Sequence, residues 1–265
     1  MVEFKENSSE NKKVEQQQFQ VSFSVGTKLL ISVVSLLLLV IVFLDVSTIL
    51  LLTEDKRAYT YQAQSTEAKL AGQEFKGVAR LVIDSLRISL ANVDSSGKIS
   101  PAQRTAVQSV LDNQEDLLGI QVHLMSKASA GSRVALEIQK EDPLKKLGLS
   151  ASDLALAPSE LEGVRGSLLQ DGFAFINLSR IGKAPILAIL LVDRQAGFAE
   201  LPVSVGMVPV EKLGKGGRTS SVIIANMQGH PLFSTEAQYL YPGSGLGADP
   251  LLEAARNSQV SEGAI

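Results

Sequence analysis

Hydrophobic and polar residues occupy separate blocks along this chain, and the longest apolar block lies near its beginning. Residues 29–44 read LLISVVSLLLLVIVFL without a charge, and the apolar run resumes after Asp45 as far as Leu52. As a helix, residues 29–52 would be about 36 Å long, enough to cross a hydrocarbon core of about 30 Å. The alternatives are a buried core helix and a signal peptide, but the long polar leader and the lack of a small-x-small site disfavour a cleaved signal. The pattern predicts a transmembrane helix at 29–52.

The charges that flank this segment predict its orientation. Lys5, Lys12, Lys13 and Lys28 precede it, whereas the far flank carries Lys56 and Arg57 behind an acidic pair. Under the positive-inside rule, this bias places the N-terminus in the cytoplasm and the remaining chain outside it. Residues 1–28 are predicted to form a cytoplasmic disordered tail, because they contain too few apolar side chains to offset the entropy of ordering.

Beyond the membrane segment, the apolar spacing becomes that of a long helix. Phe75, Val78, Val82 and Leu86 recur three or four residues apart, and no proline interrupts the stretch that follows Glu54. This spacing places side chains on one helical face. Residues 53–92 are therefore predicted to form a stalk helix, whose apolar second half packs on a sheet and whose polar first half is solvated or joins two copies as a homodimer. An ordinary core helix is the alternative.

Short helices and alternating apolar segments characterise residues 93–213. Ser100 and Pro101 suit the start of a helix, and further helices are expected near 143–148 and 159–170. Strands are predicted at 118–125, 134–138, 173–180, 186–193 and 203–210. The run ILAILLV within the fourth of these is predicted to be the central strand. Short connections between successive strands require antiparallel pairing, which indicates the α+β class rather than a doubly wound nucleotide-binding sheet.

A repeat in the sequence predicts a second unit. Residues 161–167 (LEGVRGS) and 252–258 (LEAARNS) share Leu, Glu, Arg and Ser at equivalent positions, and each copy follows a predicted strand hairpin. We interpret residues 219–265 as the start of a second copy of the unit at 93–213. Because that copy stops before its last strands, the chain is expected to be a fragment or a truncated reading frame.

Composition excludes several classes of function. The 265 residues contain 25 Lys and Arg against 28 Asp and Glu, so no basic field favours nucleic acid. The absence of cysteine excludes disulfides and thiolate metal sites. His123 and His230 are the two histidines, which argues against a multi-histidine metal site. No metal or cofactor is expected. His123 alternates with the apolar positions of its strand and is predicted to face solvent.

Two glycine-rich segments resemble nucleotide-binding motifs without meeting their requirements. Residues 213–219, LGKGGRT, lack the first glycine and the Ser or Thr of a phosphate loop, and 243–248, GSGLGA, do not follow a buried strand. We interpret the first as a linker and the second as a loop. No catalytic motif occurs in residues 1–265, so any enzyme activity would require a further domain.

Four polar residues lie in or at the ends of otherwise apolar strands and are the candidate ligand-binding residues. They are Asn177, Arg180, Asp193 and Arg194. An arginine in such a place can pair with a ligand carboxylate. The alternative is that all four are surface residues at strand ends.

The order of these elements resembles the extracytoplasmic sensors of bacterial transmembrane receptors, in which one span and a long helix lead into tandem PAS-like units, as in double-Cache domains. Residues 26–75 are also similar to the N-termini of bacterial membrane-bound adenylate cyclases. The resemblance implies a ligand-sensing region outside the bacterial inner membrane, single-pass in this chain, upstream of a nucleotide cyclase or similar output domain. The alternative is a bitopic anchor whose periplasmic domain binds another protein and no small molecule.

Overall fold

A computed structural model describes six stretches of the chain, which are residues 24–94, 98–127, 131–194, 200–214, 221–226 and 229–242. The chain divides into two compact units, Met1–Thr60 and Tyr61–Ile265. Four sequence predictions lie wholly or mostly outside the described residues, namely the N-terminal tail, the linker at 213–219, the loop at 243–248 and the second repeat copy at 252–258.

The first helix, α1, runs from Val25 to Ala91, so the predicted membrane and stalk segments are continuous. It contains an 18-residue window with a mean hydropathy of 3.0, none of it buried, and within the described ranges it is the one helix apolar enough to span a membrane. In the second unit α1 buries a stripe of small and apolar side chains spaced three or four residues apart. The stripe consists of Ala71, Phe75, Ala79, Val82, Leu86 and Leu90.

The second helix, α2 (Pro101–Asp112), begins where the sequence predicts. The Ser100 hydroxyl accepts a hydrogen bond from the Gln103 backbone N–H at 3.3 Å, and the Gln103 side chain accepts one from the Ser100 N–H at 2.7 Å. This reciprocal capping box satisfies two backbone donors that a helix start otherwise leaves open, and Pro101 at the first helical position has no donor to satisfy.

Five strands form one antiparallel sheet, which confirms the predicted α+β class. They are β1 (Gly119–Ser126), β2 (Ser132–Gln139), β3 (Phe173–Asn177), β4 (Ile186–Val192) and β5 (Glu200–Pro209). Their order across the sheet is β2-β1-β5-β4-β3. The prediction that ILAILLV forms the central strand is wrong, because β5 is the third of the five strands in this order and β4, which contains ILAILLV, is the fourth.

The two faces of the sheet are covered by different elements. We call the first the α1 face, where α1 and α2 pack on alternate side chains such as Ile120, Val122 and Ile189. We call the other the α4 face. There, residues from Leu144 to Leu168 pack on the intervening side chains, such as Leu190. The elements of this covering layer are α3 (Glu141–Lys146), a short 3₁₀ helix (Ala151–Asp153) and α4 (Pro158–Asp171).

Gly206 on β5 lies where α1 approaches the sheet closely. A Cβ atom at this position would lie 3.0 Å from the side chains of Val82 and Leu117 and 3.2 Å from that of Leu86. Because such contacts are shorter than ordinary van der Waals distances, the absence of a side chain allows α1 to lie against the middle strand.

A second, two-stranded sheet consists of β6 (Ile223–Ala225) and β7 (Pro231–Ser234). It lies in the region predicted to begin a second unit. Leu232, Phe233 and Leu240 join the core of the α1 face. This hairpin and the five-stranded sheet therefore share one core, and the boundary at 213–219 stays a prediction.

Candidate functional site

An open groove of about 1010 Å³ lies on the α1 face, between the second half of α1 and the ends of β3 and β4. Its size is at the upper end of the range typical of small-molecule sites. Both walls belong to the second compact unit.

The floor of the groove is apolar and aromatic. The rings of Phe173 and Phe175 meet edge to face with centroids 5.8 Å apart, and the ring of Phe175 lies 5.7 Å from that of Phe75 on α1. Ile83 and Leu191 extend this surface. All but Phe75 are half-buried. The floor can therefore accept hydrocarbon or an aromatic ring without moving a polar group into an apolar setting.

One rim of the groove is formed by charged side chains of α1. Lys76 and Arg80, four residues apart, are exposed on the same side of the helix. One turn further on, Arg87 forms an ion pair with Asp84 at 3.0 Å. Within the described part of the chain, neither Lys76 nor Arg80 forms an ion pair. This rim therefore carries a net positive charge.

The opposite rim is formed by Asp171, Asp193 and Arg194. Helix α4 ends at Gly172 with a φ of +89°, a left-handed conformation that favours glycine. The Arg194 Nη2 donates to the carbonyl of Leu168 at 3.2 Å, which holds its guanidinium at the end of α4. A Cβ at Gly172 would lie 3.4 Å from that nitrogen.

The structure brings two of the four predicted ligand-binding residues into the groove and places the other two elsewhere. Asp193 and Arg194 line the groove. The Asn177 Nδ2 donates to the carbonyls of Pro231 at 3.1 Å and Leu240 at 2.8 Å, and so ties the sheet to the β6–β7 hairpin. Arg180 is exposed and lies 3.7 Å from the carboxylate of Asp153. The four residues that the sequence suggested as one site therefore lie in different surroundings.

Lys76 and Arg80 lie in the predicted stalk helix and were not among the predicted binding residues. A signal for them exists, because they lie one position after the buried Phe75 and Ala79, on the side of α1 that borders its buried stripe. That signal locates a boundary between buried and exposed helix surface. It does not say that two strand ends would complete a groove there.

On the α4 face, three polar side chains of β1 and β2 form a connected group. The Gln121 Nε2 donates to the Glu137 carboxylate at 3.0 Å, and the Gln121 Oε1 lies 3.0 Å from the His123 Nε2. The prediction that His123 faces solvent is wrong, because its exposed fraction is 2%. The predicted alternation of side chains is present, but β1 is an interior strand and the layer from α3 to α4 covers its second face.

The surroundings of His123 determine its tautomer and lower its pKa. Because the amide nitrogen of Gln121 is a donor to Glu137, its Oε1 accepts from His123, which assigns the ring proton to Nε2. The His123 Nδ1 is buried without a hydrogen-bond partner among the described residues. Burial disfavours the charged imidazolium and lowers the pKa of His123 to about 4.

Asp153 joins the layer over the α4 face to the β3–β4 connection. Its carboxylate accepts hydrogen bonds from Lys183 at 2.6 and 2.7 Å, and from the backbone and hydroxyl of Ser150. The hydrogen bonds from Lys183 first, and then those from Ser150, hold the pKa of Asp153 well below its usual range. The Asp153 carboxylate is buried and its hydrogen bonds are satisfied. We therefore interpret Arg180, which lies beside it, as part of a structural cluster. In the stretches that the structure describes, no group of three His, Asp or Glu side chains could hold a metal ion.

Comparisons with known proteins give structural matches. No family model matches the chain, and no curated protein matches it. The ligand-binding domain of the Pseudomonas aeruginosa PAO1 amino acid chemoreceptor PctC, solved with GABA, is 20% identical and has a TM-score of 0.40. That match covers 76% of this chain and 82% of that one. The extracellular domain of a candidate histidine kinase, mmHK1S-Z3, is 12% identical with a TM-score of 0.44, over 74% of this chain and 79% of that one.

A further match is the ligand-binding domain of the Campylobacter jejuni chemoreceptor Tlp3, solved with 4-methylisoleucine. It is 14% identical, with a TM-score of 0.24, over 69% of this chain and 67% of that one. These neighbours are sensor domains of chemoreceptors and of a kinase. The fold of the present chain, a long apolar helix followed by an antiparallel α+β unit, rests on its own strand pairing.

Proposed function

We propose that this chain is the extracytoplasmic sensing region of a bacterial membrane receptor. The observation that carries the proposal is that α1 includes both the apolar segment and the stripe that packs on the sheet beside the groove. A molecule bound in the groove would contact α1 directly, through Ile83 and the charged rim. Binding would then favour one arrangement of α1 against the sheet over another.

The proposal also includes the orientation, the dimer contact, the second unit and the output domain of this receptor. The N-terminus lies in the cytoplasm, the second unit lies outside the inner membrane, and two copies meet along the polar part of the stalk. Residues 219–265 begin a second Cache-like unit. The output is a nucleotide cyclase or a similar domain outside these residues. The excess of lysine before the span, the element order and the similarity of residues 26–75 to membrane-bound cyclases support these proposals.

Thermal unfolding of the full chain in lipid nanodiscs, against amino acids, organic acids and amines, tests for a ligand. Binding to the native state raises the melting temperature by mass action. We expect a specific shift that Arg80→Gln reduces and Arg180→Ala leaves in place, because Arg80 lines the groove and Arg180 does not. No shift with any compound would favour the alternative, an anchor whose external domain binds another protein.

Cysteine cross-linking tests whether binding is transmitted. The natural chain has no cysteine, so Arg57→Cys introduces a single reactive thiol on the exposed part of α1. If two copies meet along the stalk, oxidation yields a disulfide-linked dimer, and its rate of formation should change when ligand is added. A bound ligand with no change in that rate would contradict the receptor proposal.

A further inference from the structure

We infer that the groove on the α1 face binds an amphipathic organic anion, with its apolar body on the phenylalanine floor and its acidic group between Lys76 and Arg80. This inference names the ligand class and the orientation for the site used in the proposed function, and it rests on that function for its biological meaning.

The groove has an apolar floor and charged rims. Phe173, Phe175, Ile83 and Leu191 give a continuous apolar surface next to α1. A compact polar ligand would leave that surface wet, whereas a ring or an aliphatic chain would cover it. The ligand therefore has a substantial apolar part.

The α1 rim of the groove is positively charged. Arg87 and Asp84 neutralise one another, which leaves Lys76 and Arg80 as two cations without an ion-pair partner among the described residues. They lie on one side of a helix at a spacing at which both can reach the same acidic group. The rim is cationic although the whole chain has a net charge of −3, so general composition does not explain it.

The charges of the opposite rim indicate the orientation of the ligand. Asp171 and Asp193 lie there with Arg194, and Asp193 already has an interaction of its own. Arg194 is held by the carbonyl of Leu168. An anionic group placed near the two aspartates would be repelled, and the same group beside α1 would be attracted. The acidic group therefore lies on the α1 side.

Three compounds with the same body and different head groups test the charge preference. These are 4-phenylbutyrate, 4-phenylbutylamine and 4-phenylbutanol, and their binding to the full chain in nanodiscs is measured by equilibrium dialysis. We expect saturable binding of the butyrate and at least about tenfold weaker binding of the other two, since a charge-assisted hydrogen bond is lost. Binding of the amine or the alcohol as tight as that of the butyrate would overturn the inference.

Exposed-site variants locate the acidic group. Arg80→Gln should weaken butyrate binding by about tenfold. The matched control is Arg104→Gln on α2, which is also exposed and does not line the groove, and it should bind as the natural chain does. Asp171→Asn should bind the butyrate equally or more tightly. Equal binding by the natural chain and Arg80→Gln, or a loss in Asp171→Asn as large as that in Arg80→Gln, would contradict the orientation.

A variant of the floor tests the apolar contact independently of charge. Phe173→Leu shortens the aromatic surface and keeps an apolar, half-buried side chain on the edge strand. It should weaken binding of the butyrate several-fold without affecting the preference for the anion, and unchanged affinity would place the ligand body elsewhere.

The failure of this inference is distinguishable from that of the receptor proposal. Binding of the butyrate without any change in Arg57→Cys cross-linking would overturn the receptor proposal alone. Cross-linking that responds to another compound, together with no binding of the butyrate, would overturn the ligand class alone.

Discussion

The two faces of one sheet differ in what they leave open. On β4, Leu190 points to the α4 face and is fully buried, whereas its neighbour Leu191 points to the α1 face and is half-buried in the floor of the groove. The strand is the same, so the difference comes from the cover. A layer of α3, a 3₁₀ helix and α4 closes one face, and α1 with α2 leaves Phe173, Phe175 and Leu191 of the other half-buried.

The closed face makes the sheet rigid, and the open face gives a ligand access to it. The closed face holds an apolar core, the polar group of Gln121 and His123, and the cluster around Asp153, and these contacts fix the strands. The open face presents charged and aromatic side chains on elements that the closed face keeps in place. Sites held by regular elements keep their geometry better than sites on free loops.

The largest effect on stability is expected when the neighbouring leucines on β4 are replaced one at a time by alanine. Leu190→Ala should lower the free energy of unfolding by about 2 to 5 kcal/mol, because it leaves a cavity in the closed face. Leu191→Ala should lower it by about 1 kcal/mol, since part of that side chain already meets solvent. Urea unfolding followed by far-ultraviolet circular dichroism measures both. Equal losses would mean that the two faces are equally closed.

A second test concerns the closed part of the α1 face. Gly206→Ala should destabilise the chain by up to about 3 kcal/mol, because the added Cβ would overlap Val82 and Leu117. The control is Gly163→Ala on the exposed side of α4, where a Cβ meets nothing within 4 Å. That change should stabilise the helix by about 0.5 to 1 kcal/mol. A tolerated Gly206→Ala would show that α1 moves away from β5 easily.

The third test uses pH to probe how well the α4 face excludes water. The pKa of His123 is about 4 in the folded chain and near 6.5 without its surroundings, so the unfolded chain binds more protons between these values. Stability is therefore lost as the pH falls from about 6.5 towards 4. Between about pH 7.5 and pH 5 the expected loss from this residue is about 2 kcal/mol.

The control for that prediction is His123→Gln, which keeps a polar side chain and removes the titration. Urea unfolding at the two pH values should show a smaller loss in this variant than in the natural chain. The same dependence in both would assign it to other groups. Asp153 adds to the pH dependence only at lower pH. Its pKa lies below its usual range, so it stabilises the fold at both of these pH values, and that stabilisation is lost only when the pH falls far enough to protonate the carboxylate.

The smallest effect is expected at the groove rim. Arg87→Gln removes the exposed ion pair with Asp84 and should change the free energy of unfolding by less than about 1 kcal/mol. The same urea experiment measures it, with Arg104→Gln as an exposed reference. A much larger loss would mean that the rim is a structural part of the fold rather than an open surface.

Local sequence patterns predicted the elements well and their surroundings poorly. Ser100 and Gln103 form a cap from side chains three residues apart, so the sequence contains all that the cap requires. His123 shows the opposite case. Its alternation with Val122 and Leu124 identified a strand, but a period of two cannot tell whether the second face meets water or another layer. The elements that bury it lie beyond residue 140.

The candidate site shows the same division. Asp193 and Arg194 were predicted as polar residues at a strand end, and they do line the groove. Asn177 fits the same pattern and instead bonds to the carbonyl of Pro231 in β7 and to that of Leu240 in the 3₁₀ helix after it. These residues share one sequence pattern, because strand ends are polar for several reasons. Partners more than 50 residues away in the sequence determine which of them line the groove.

By itself, the sequence determined the apolar helix, the start of α2, the strands and their antiparallel pairing, because each depends on periodicity, caps or connection lengths within short stretches. Only the tertiary structure decided that β5 lies in the middle, that His123 is buried and that Lys76 and Arg80 face Asp193 and Arg194 across a groove. The pairing of β1 with β5 brings together residues as far apart in the sequence as Gly119 and Met207, and no local pattern encodes that order.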